Sequence, residues 1–389
     1  MKKAILLSFI MLMMVACGGL GKIFTGGTVV QKEYQVSVPF NYDYNFAIIK
    51  VHINGKVYNF LVDTGAPTVI SDKIYKDLNI KAADRTMVKD SQGQRKSQEV
   101  VIIPMMTVGG LNYEDIGAVV ANLRDVFEFN CMGIDGILGA NQMAKSYWKF
   151  DYETKNITIT DQLSNYDLSQ YTDTLSFSTS TQLTPYITGY ANGIQTVFNY
   201  DTGSAGHIDV IRTKDDFNDA PGFNRYGSSS VGLYGAIDST TIRTIKLDSL
   251  RLGNLSLGEQ LVDLDDGSLI GNDFMNKHEV VMDWKSKSIY LKKLKPYESA
   301  VDSTYGFNPK IKENQVLVST LYKEVATPLK LNDQILQLND QDYSNITDEN
   351  VCDIFNSLYT PIKGDSIQVV YKRNDSIKEI RLPKVALMK

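Results

Sequence analysis

Two acidic tripeptides carry the chemistry of this chain, Asp63-Thr64-Gly65 and Asp201-Thr202-Gly203, each closing a strand-like run. Their surroundings, NGKVYNFLVDTGAPTVI (54–70) and NGIQTVFNYDTGSAGHI (192–208), superpose without a gap at an offset of 138. A lone Asp-Thr-Gly is an ordinary turn in which Asp caps its own backbone. Two copies inside two similar halves instead point to paired carboxylates, Asp63 and Asp201, meeting across a pseudo-two-fold axis. Like charges in contact resist joint ionisation, so such a pair holds one shared proton and can polarise a water.

The elements that must position this pair are repeated as well. Residues 134–159 align without a gap to residues 266–291 at an offset of 132, matching Ile137-Leu138-Gly139 to Leu269-Ile270-Gly271. Both copies lead into a short helix and then a strand pair around Asp151 and Asp283. From Asp to Gly the separation is 76 residues in the first half and 70 in the second. Two elements in one order at nearly equal spacing indicate an internal duplication of about 130 residues, each unit the size of a small domain.

The pattern of two apolar residues, Asp-Thr-Gly, and a later pair of apolar residues with Gly resembles the aspartic peptidase superfamily. The short lobes and Asp63-Thr64-Gly65-Ala66 are most similar to its retropepsin-like branch, here fused in tandem over about residues 35–300. The resemblance implies a mainly β fold: two closed β lobes flanking a pseudo-two-fold cleft, each Ile/Leu-Gly element packed under its Asp loop. It also implies that the hydroxyls of Thr64 and Thr202 interlock the loops beneath the dyad. Gly65 and Gly203 lack Cβ, which allows a sharp turn and a close approach of backbone N–H groups. Before the motifs, Phe60-Leu61-Val62 and Phe198-Asn199-Tyr200 read as buried strand ends, the second more polar.

After the motifs the halves diverge. Ser204 offers a hydroxyl to Asp201, whereas Ala66 offers none to Asp63, which marks Asp63 as the protonated partner. Two hairpin tips are flap candidates by resemblance, one at 90–94 beginning with Asp90 and one at 232–236. The second carries Tyr234, and each also reads as a plain surface hairpin. His207 reads as a strand residue, not a catalytic one.

At the N-terminus, Lys2 and Lys3 precede an apolar run, 4–15, too short to span a membrane. It ends in Met14-Val15-Ala16-Cys17, which resembles a bacterial lipoprotein signal. The resemblance implies a signal peptide over 1–16, a lipid on Cys17 and a tether over 17–34. Removing Cys17 from the count leaves Cys131 and Cys352, whose places in different domains argue against a disulfide. Three His, no ligand spacing and no Gly-rich phosphate loop disfavour a metal or nucleotide cofactor. The net charge is −5, and −7 once Lys2 and Lys3 are lost, which argues against a nucleic-acid partner.

Residues 301–389 form a third unit. The order of its elements and the phrase Leu329-Lys330-Leu331-Asn332-Asp333-Gln334-Ile335-Leu336 resemble a bacterial PDZ domain of α+β type. The customary Gly-Asp is Asn332-Asp333, and the carboxylate-binding loop is reduced to Tyr305-Gly306-Phe307. PDZ domains bind peptides by adding a strand to a sheet edge; a structural cap is the other reading.

The sequence thus describes lobes at 35–165 and 166–300 and a PDZ-like domain at 301–389. The expected activity is that of a monomeric aspartic endopeptidase acting on polypeptide, without metal, nucleotide or covalent intermediate. Its expected place is the cell envelope of a Gram-negative bacterium, facing the periplasm on a lipid anchor. The rival reading is a non-catalytic peptide-binding lipoprotein on a peptidase-derived scaffold. Intact Asp-Thr-Gly in both lobes speaks against it.

Overall fold

Alternation in the runs before each motif sets the architecture. In Lys56–Asp63 the side chains of Tyr58, Phe60 and Val62 turn inward, and in Ile194–Tyr200 those of Thr196, Phe198 and Tyr200 do the same. Each run is the second strand of a hairpin, paired with Ile48–Ile53 and Pro185–Ala191 respectively. The two-residue turns are Asn54-Gly55 and Asn192-Gly193, all four with positive φ (50°, 73°, 46° and 82°). That geometry matches the twist of the flanking strands, and Asn-Gly is the pair that adopts it most readily.

The computed structural model describes residues 20–212, 217, 219–228, 230–237, 239–297, 303–358 and 363–388. The expected signal peptide, 1–16, and Cys17 lie outside the described residues. In the first lobe, six strands close into a barrel in the order Leu111–Ala121, Val69–Ser71, Gly136–Gly139, Lys56–Asp63, Ile48–Ile53 and Arg95–Val108, the last returning to the first. The second lobe repeats the ring with Leu255–Asp265, Ile208–Ile211, Leu269–Ile270, Ile194–Tyr200, Pro185–Ala191 and Thr240–Leu252. Closure removes free edges, and apolar side chains fill the interiors.

A six-stranded sheet joins the lobes. Its central pair, Tyr147–Asp151 against His278–Asp283, runs antiparallel with Lys149 opposite Val281. These two residues are equivalent under the 132-residue repeat, so the pseudo-two-fold axis passes between them. Trp148, Phe150, Val280 and Met282 bury this seam.

Of the segment expected as a tether over 17–34, residues 20–34 are described, and they pack on the first lobe. A short helix covers 20–25, and Thr28–Val29 adds a strand to Leu111–Ala121. The backbone N–H groups of Glu33 and Tyr34 then bond the carboxylate of Asp161. These contacts make most of this stretch part of the first lobe.

The C-terminal unit has its own core, in which Val316, Val318, Ile335, Phe355, Ile367 and Val369 meet. It comprises strands Phe307–Lys312, Gln315–Tyr322, Gln334–Leu338, Ser366–Arg373 and Ser376–Pro383 with helix Val351–Leu358. Asn332 has φ +65°, which explains how Asn occupies a position that favours Gly. Buried Asp333 receives hydrogen bonds from Lys330 N and the Arg373 guanidinium. This unit is fastened to both lobes. Strand Gly222–Gly227 of the second lobe pairs antiparallel with Gln315–Tyr322, setting Arg225 opposite Tyr322 and Gly227 opposite Thr320. Toward the first lobe, Phe127 and Tyr44 pack their rings on Phe355.

Cys131 and Cys352 are joined by a disulfide, with Cα atoms 4.9 Å apart. This corrects the expectation that they stay apart. Although 221 residues separate them in the chain, helix Val351–Leu358 folds back onto the short helix Phe127–Cys131. Domain assignment along the sequence does not reveal that docking.

Candidate active site

Both Asp-Thr-Gly turns emerge from parallel strand pairs at the barrel ends facing each other. Asp63 lies opposite Gly139, and Asp201 follows Tyr200, which lies opposite Ile270. Ala140 N donates to Ala66 O at 3.0 Å, and its counterpart Asn272 N donates to Ser204 O at 2.9 Å. Each Ile/Leu-Gly element therefore lies under its Asp loop, as the sequence implied. Asn272 secures its loop further through Nδ2, at 2.7 Å from Thr202 O.

The two threonines interlock. Thr64 N donates to Thr202 Oγ1 and Thr202 N to Thr64 Oγ1, both at 3.0 Å. Each hydroxyl then donates to the strand before the opposite loop: Thr202 Oγ1 to Val62 O at 2.8 Å, and Thr64 Oγ1 to Tyr200 O. Both side chains are buried, so each bond is shielded from water. Above them each glycine faces the opposite carboxyl. A Cβ on Gly65 would lie 2.6 Å from Asp201 Oδ2, and one on Gly203 would lie 2.3 Å from Asp63 Cγ. No larger residue fits either place without moving the dyad.

Gly65 N donates to Asp63 Oδ1 at 2.7 Å and Gly203 N to Asp201 Oδ1 at 2.9 Å. The two carboxyls face one another across the interlocked loops. Burial and then the charge of Asp201 hold Asp63 well above the usual carboxylate range. Burial raises Asp201 too, opposed by the N–H groups of Gly203 and Ser204 and by the bond from Asp63. Two raised carboxyls facing each other favour holding one proton between them.

The side chain that reaches Asp201 differs from the sequence expectation. The Ser204 hydroxyl accepts a bond from Gly206 N at 3.3 Å, and Ser204 turns its backbone N–H toward Asp201, as Ala66 does toward Asp63. The added donor is Asn199, whose Nδ2 lies 3.3 Å from Asp201 Oδ2. Its counterpart at the same register is Leu61, which can donate nothing. The polar residue in an otherwise apolar strand end was the signal.

The two flap candidates meet each other. Tyr234 N donates to Asp90 Oδ2 at 3.1 Å, Tyr234 Oη to Val88 O at 3.2 Å, and Gln92 Nε2 to Ser230 Oγ at 2.8 Å. Lys96 Nζ lies 4.7 Å from the centre of the Tyr234 ring. Leu233 packs on the same apolar cluster as Ala66, beside the Asp63 loop. His207 precedes strand Ile208–Ile211 and bonds Gln260 at 2.9 Å through Nε2.

Far from the dyad, Tyr305-Gly306-Phe307 is tied to its own unit. Tyr305 Oη donates to Gly364 O at 2.8 Å, Gly306 N to Thr304 Oγ1 at 3.1 Å, and Phe307 is buried. Among the described residues no group of three or more His, Cys, Asp or Glu is placed to hold a metal ion.

Residues 49–142, which include Asp63 and Ile137-Leu138-Gly139, match the family described as aspartyl protease. The chain has an aspartyl-protease-like fold. Solved structures similar to it include the following two. Basic 7S globulin from soybean is 10% identical over 68% of this chain and 96% of its own, with a TM-score of 0.40. A retropepsin-like aspartic protease from Rickettsia conorii is 15% identical over 34% of this chain and 92% of its own, with a TM-score of 0.24. No curated protein matches the chain. The aspartyl-protease match covers the first lobe, and the second reproduces that lobe's barrel, its Asp loop and its supporting Gly.

Proposed function

We propose that this protein is an aspartic endopeptidase whose dyad is Asp63 and Asp201. The observation that carries the reading is the reciprocal threonine interlock, which sets the two Asp loops face to face with both carboxyls raised above the usual carboxylate range. A water bound between them loses a proton to Asp201 as its oxygen attacks the scissile carbonyl carbon. Asp63 gives its proton to the carbonyl oxygen. Collapse of the tetrahedral diol breaks the C–N bond as one of its hydroxyls returns a proton to Asp63, and the proton on Asp201 passes to the leaving amine. The paired tips at Asp90 and Tyr234 cover the cleft and must part to admit a chain.

The C-terminal unit is the proposed PDZ-like peptide-binding domain. Strand Phe307–Lys312 pairs only with Gln315–Tyr322 among the described residues, which leaves an edge for a guest strand beside helix Val351–Leu358. Cys17 is the proposed lipidation site, holding the enzyme on the envelope membrane. Detergent partitioning of wild type against Cys17→Ser tests the anchor, and unchanged partitioning would reject it. Digestion of a peptide library with and without a pepstatin-type inhibitor tests the activity. Inhibitor-sensitive cleavage that disappears in Asp201→Asn is expected; cleavage surviving in a folded Asp201→Asn protein would overturn the mechanism.

A further inference from the structure

The two walls of the cleft are built on one plan but from opposite chemistry. In the first lobe, the registers Leu61–Ile137, Ile137–Val69 and Val69–Val119 set four side chains in a row on one face, with Ala121 two residues beyond Val119. All five are buried in one apolar cluster, on which Ala66, beside Asp63, and the opposite tip's Leu233 pack. In the second lobe the same registers are Asn199–Leu269, Leu269–Asp209 and Asp209–Asp263, with Asp265 two residues beyond. Leu61, Val69, Val119 and Ala121 are thus replaced by Asn199, Asp209, Asp263 and Asp265.

Among the described residues, Asp265 accepts from Asp266 N at 2.7 Å. Asp263 is paired with the Arg225 guanidinium and accepts from Thr244 Oγ1 at 2.5 Å. Arg212 directs its guanidinium to Leu264 O at 3.2 Å. Asp209 has no side-chain hydrogen-bond partner among the described residues, and the Asn199 amide oxygen is buried with none. Burial and the charges of Asp263 and Asp265 push Asp209 up to about 8. A half-buried acid and a fully buried acceptor, both without partners, destabilise a fold unless something returns the lost interactions.

We propose that this row is a specificity pocket for a basic side chain, Lys or Arg, of the polypeptide substrate beside the scissile bond, with Asp209 as its anchor. The ammonium or guanidinium would restore the Asp209 anion and bond the Asn199 oxygen. The apolar wall of the first lobe would take an aliphatic or aromatic residue across the bond. This proposal rests on the endopeptidase reading for the location of the substrate.

The test uses the full-length protein with peptides carrying a non-cleavable reduced amide, and a parallel set with an ordinary peptide bond. A single Lys or norleucine occupies each of the four positions nearest that bond. At one of these positions the wild type should bind the Lys peptide at least tenfold more tightly, and should cleave the cleavable form with the same preference. Asp209→Asn, which keeps the shape, should abolish the preference, and Asp209→Val, which installs the residue of the first lobe, should reverse it. Cleavage without a basic preference, or a preference that survives both substitutions, overturns the pocket. Tight Lys-dependent binding without cleavage supports the pocket and overturns the endopeptidase reading. Absence of both binding and cleavage overturns both.

Discussion

Thr202→Val replaces a hydroxyl by a methyl of nearly the same volume and isolates the interlock from packing. In the folded protein it removes the acceptor of Thr64 N, at 3.0 Å, and the donor to Val62 O, at 2.8 Å. The first loss leaves a buried N–H without a partner, about 1–3 kcal/mol, and the second removes one buried bond, about 0.5–1.5 kcal/mol. The expected destabilisation is therefore about 3 kcal/mol. Thr64→Val should have a similar effect through Thr202 N and Tyr200 O. Each substitution removes a different pair of the four bonds, so a departure of the double variant from the sum measures coupling through the interlocked loops. Urea unfolding of wild type, both single variants and the double variant supplies the cycle. Initial rates on a peptide substrate report whether the dyad has moved, and Thr202→Ser should restore both readouts. A Thr202→Val protein within about 0.5 kcal/mol of wild type and fully active would show that the hydroxyls do not hold the loops, and so refute the reasoning.

Four further outcomes follow from the same geometry. Asp63→Asn and Asp201→Asn should each lower kcat by at least about a thousandfold, the double variant being little worse, in steady-state assays. Asp90→Ala removes the acceptor of Tyr234 N and of the Gln92 and Gln94 N–H groups, so limited proteolysis should cut the 90–94 tip faster and KM should rise. Reducing the Cys131–Cys352 bond should lower stability by no more than about 5 kcal/mol, read as a fall in the urea midpoint, and should loosen the C-terminal unit in hydrogen exchange. Asp209, raised from 3.8 to about 8, is neutral in the folded chain and charged in the unfolded chain between those values, so stability falls as pH rises through about 4 to 8. Asp209→Asn should flatten that slope by at most about 1.4 kcal/mol per pH unit in unfolding midpoints.

The parts legible in the sequence were those where local chemistry and repetition coincide. Asp63 and Asp201 announced themselves by identical neighbours, and Gly139 and Gly271 by their order and spacing. What escaped depended on which distant surfaces meet. Ser204 looked like the donor to Asp201 because it is close in the chain, yet the loop turns its hydroxyl to Gly206. Asn199, two residues before the Asp, lies on the same strand face and reaches it. The Cys131–Cys352 pairing and the meeting of the Asp90 and Tyr234 tips are contacts between units, which no local pattern encodes. The acidic row was hidden for the same reason: the gapless alignment sets His207 against Val69, and only the strand registers put Asp209 there.

The seam through Lys149 and Val281 has a consequence for how such a cleft can change. Were the lobes separate identical chains, one gene would write both walls, and an acid introduced at one would appear at the other. The dyad would also form only at the concentration at which two chains associate. Covalent fusion replaces that with an effective concentration on the order of millimolar or above, independent of expression level. It also allows each wall to be written independently. One chain can then read two different side chains on the two sides of a single bond, a discrimination that a strictly symmetric dimer can reach only through the polarity of its substrate.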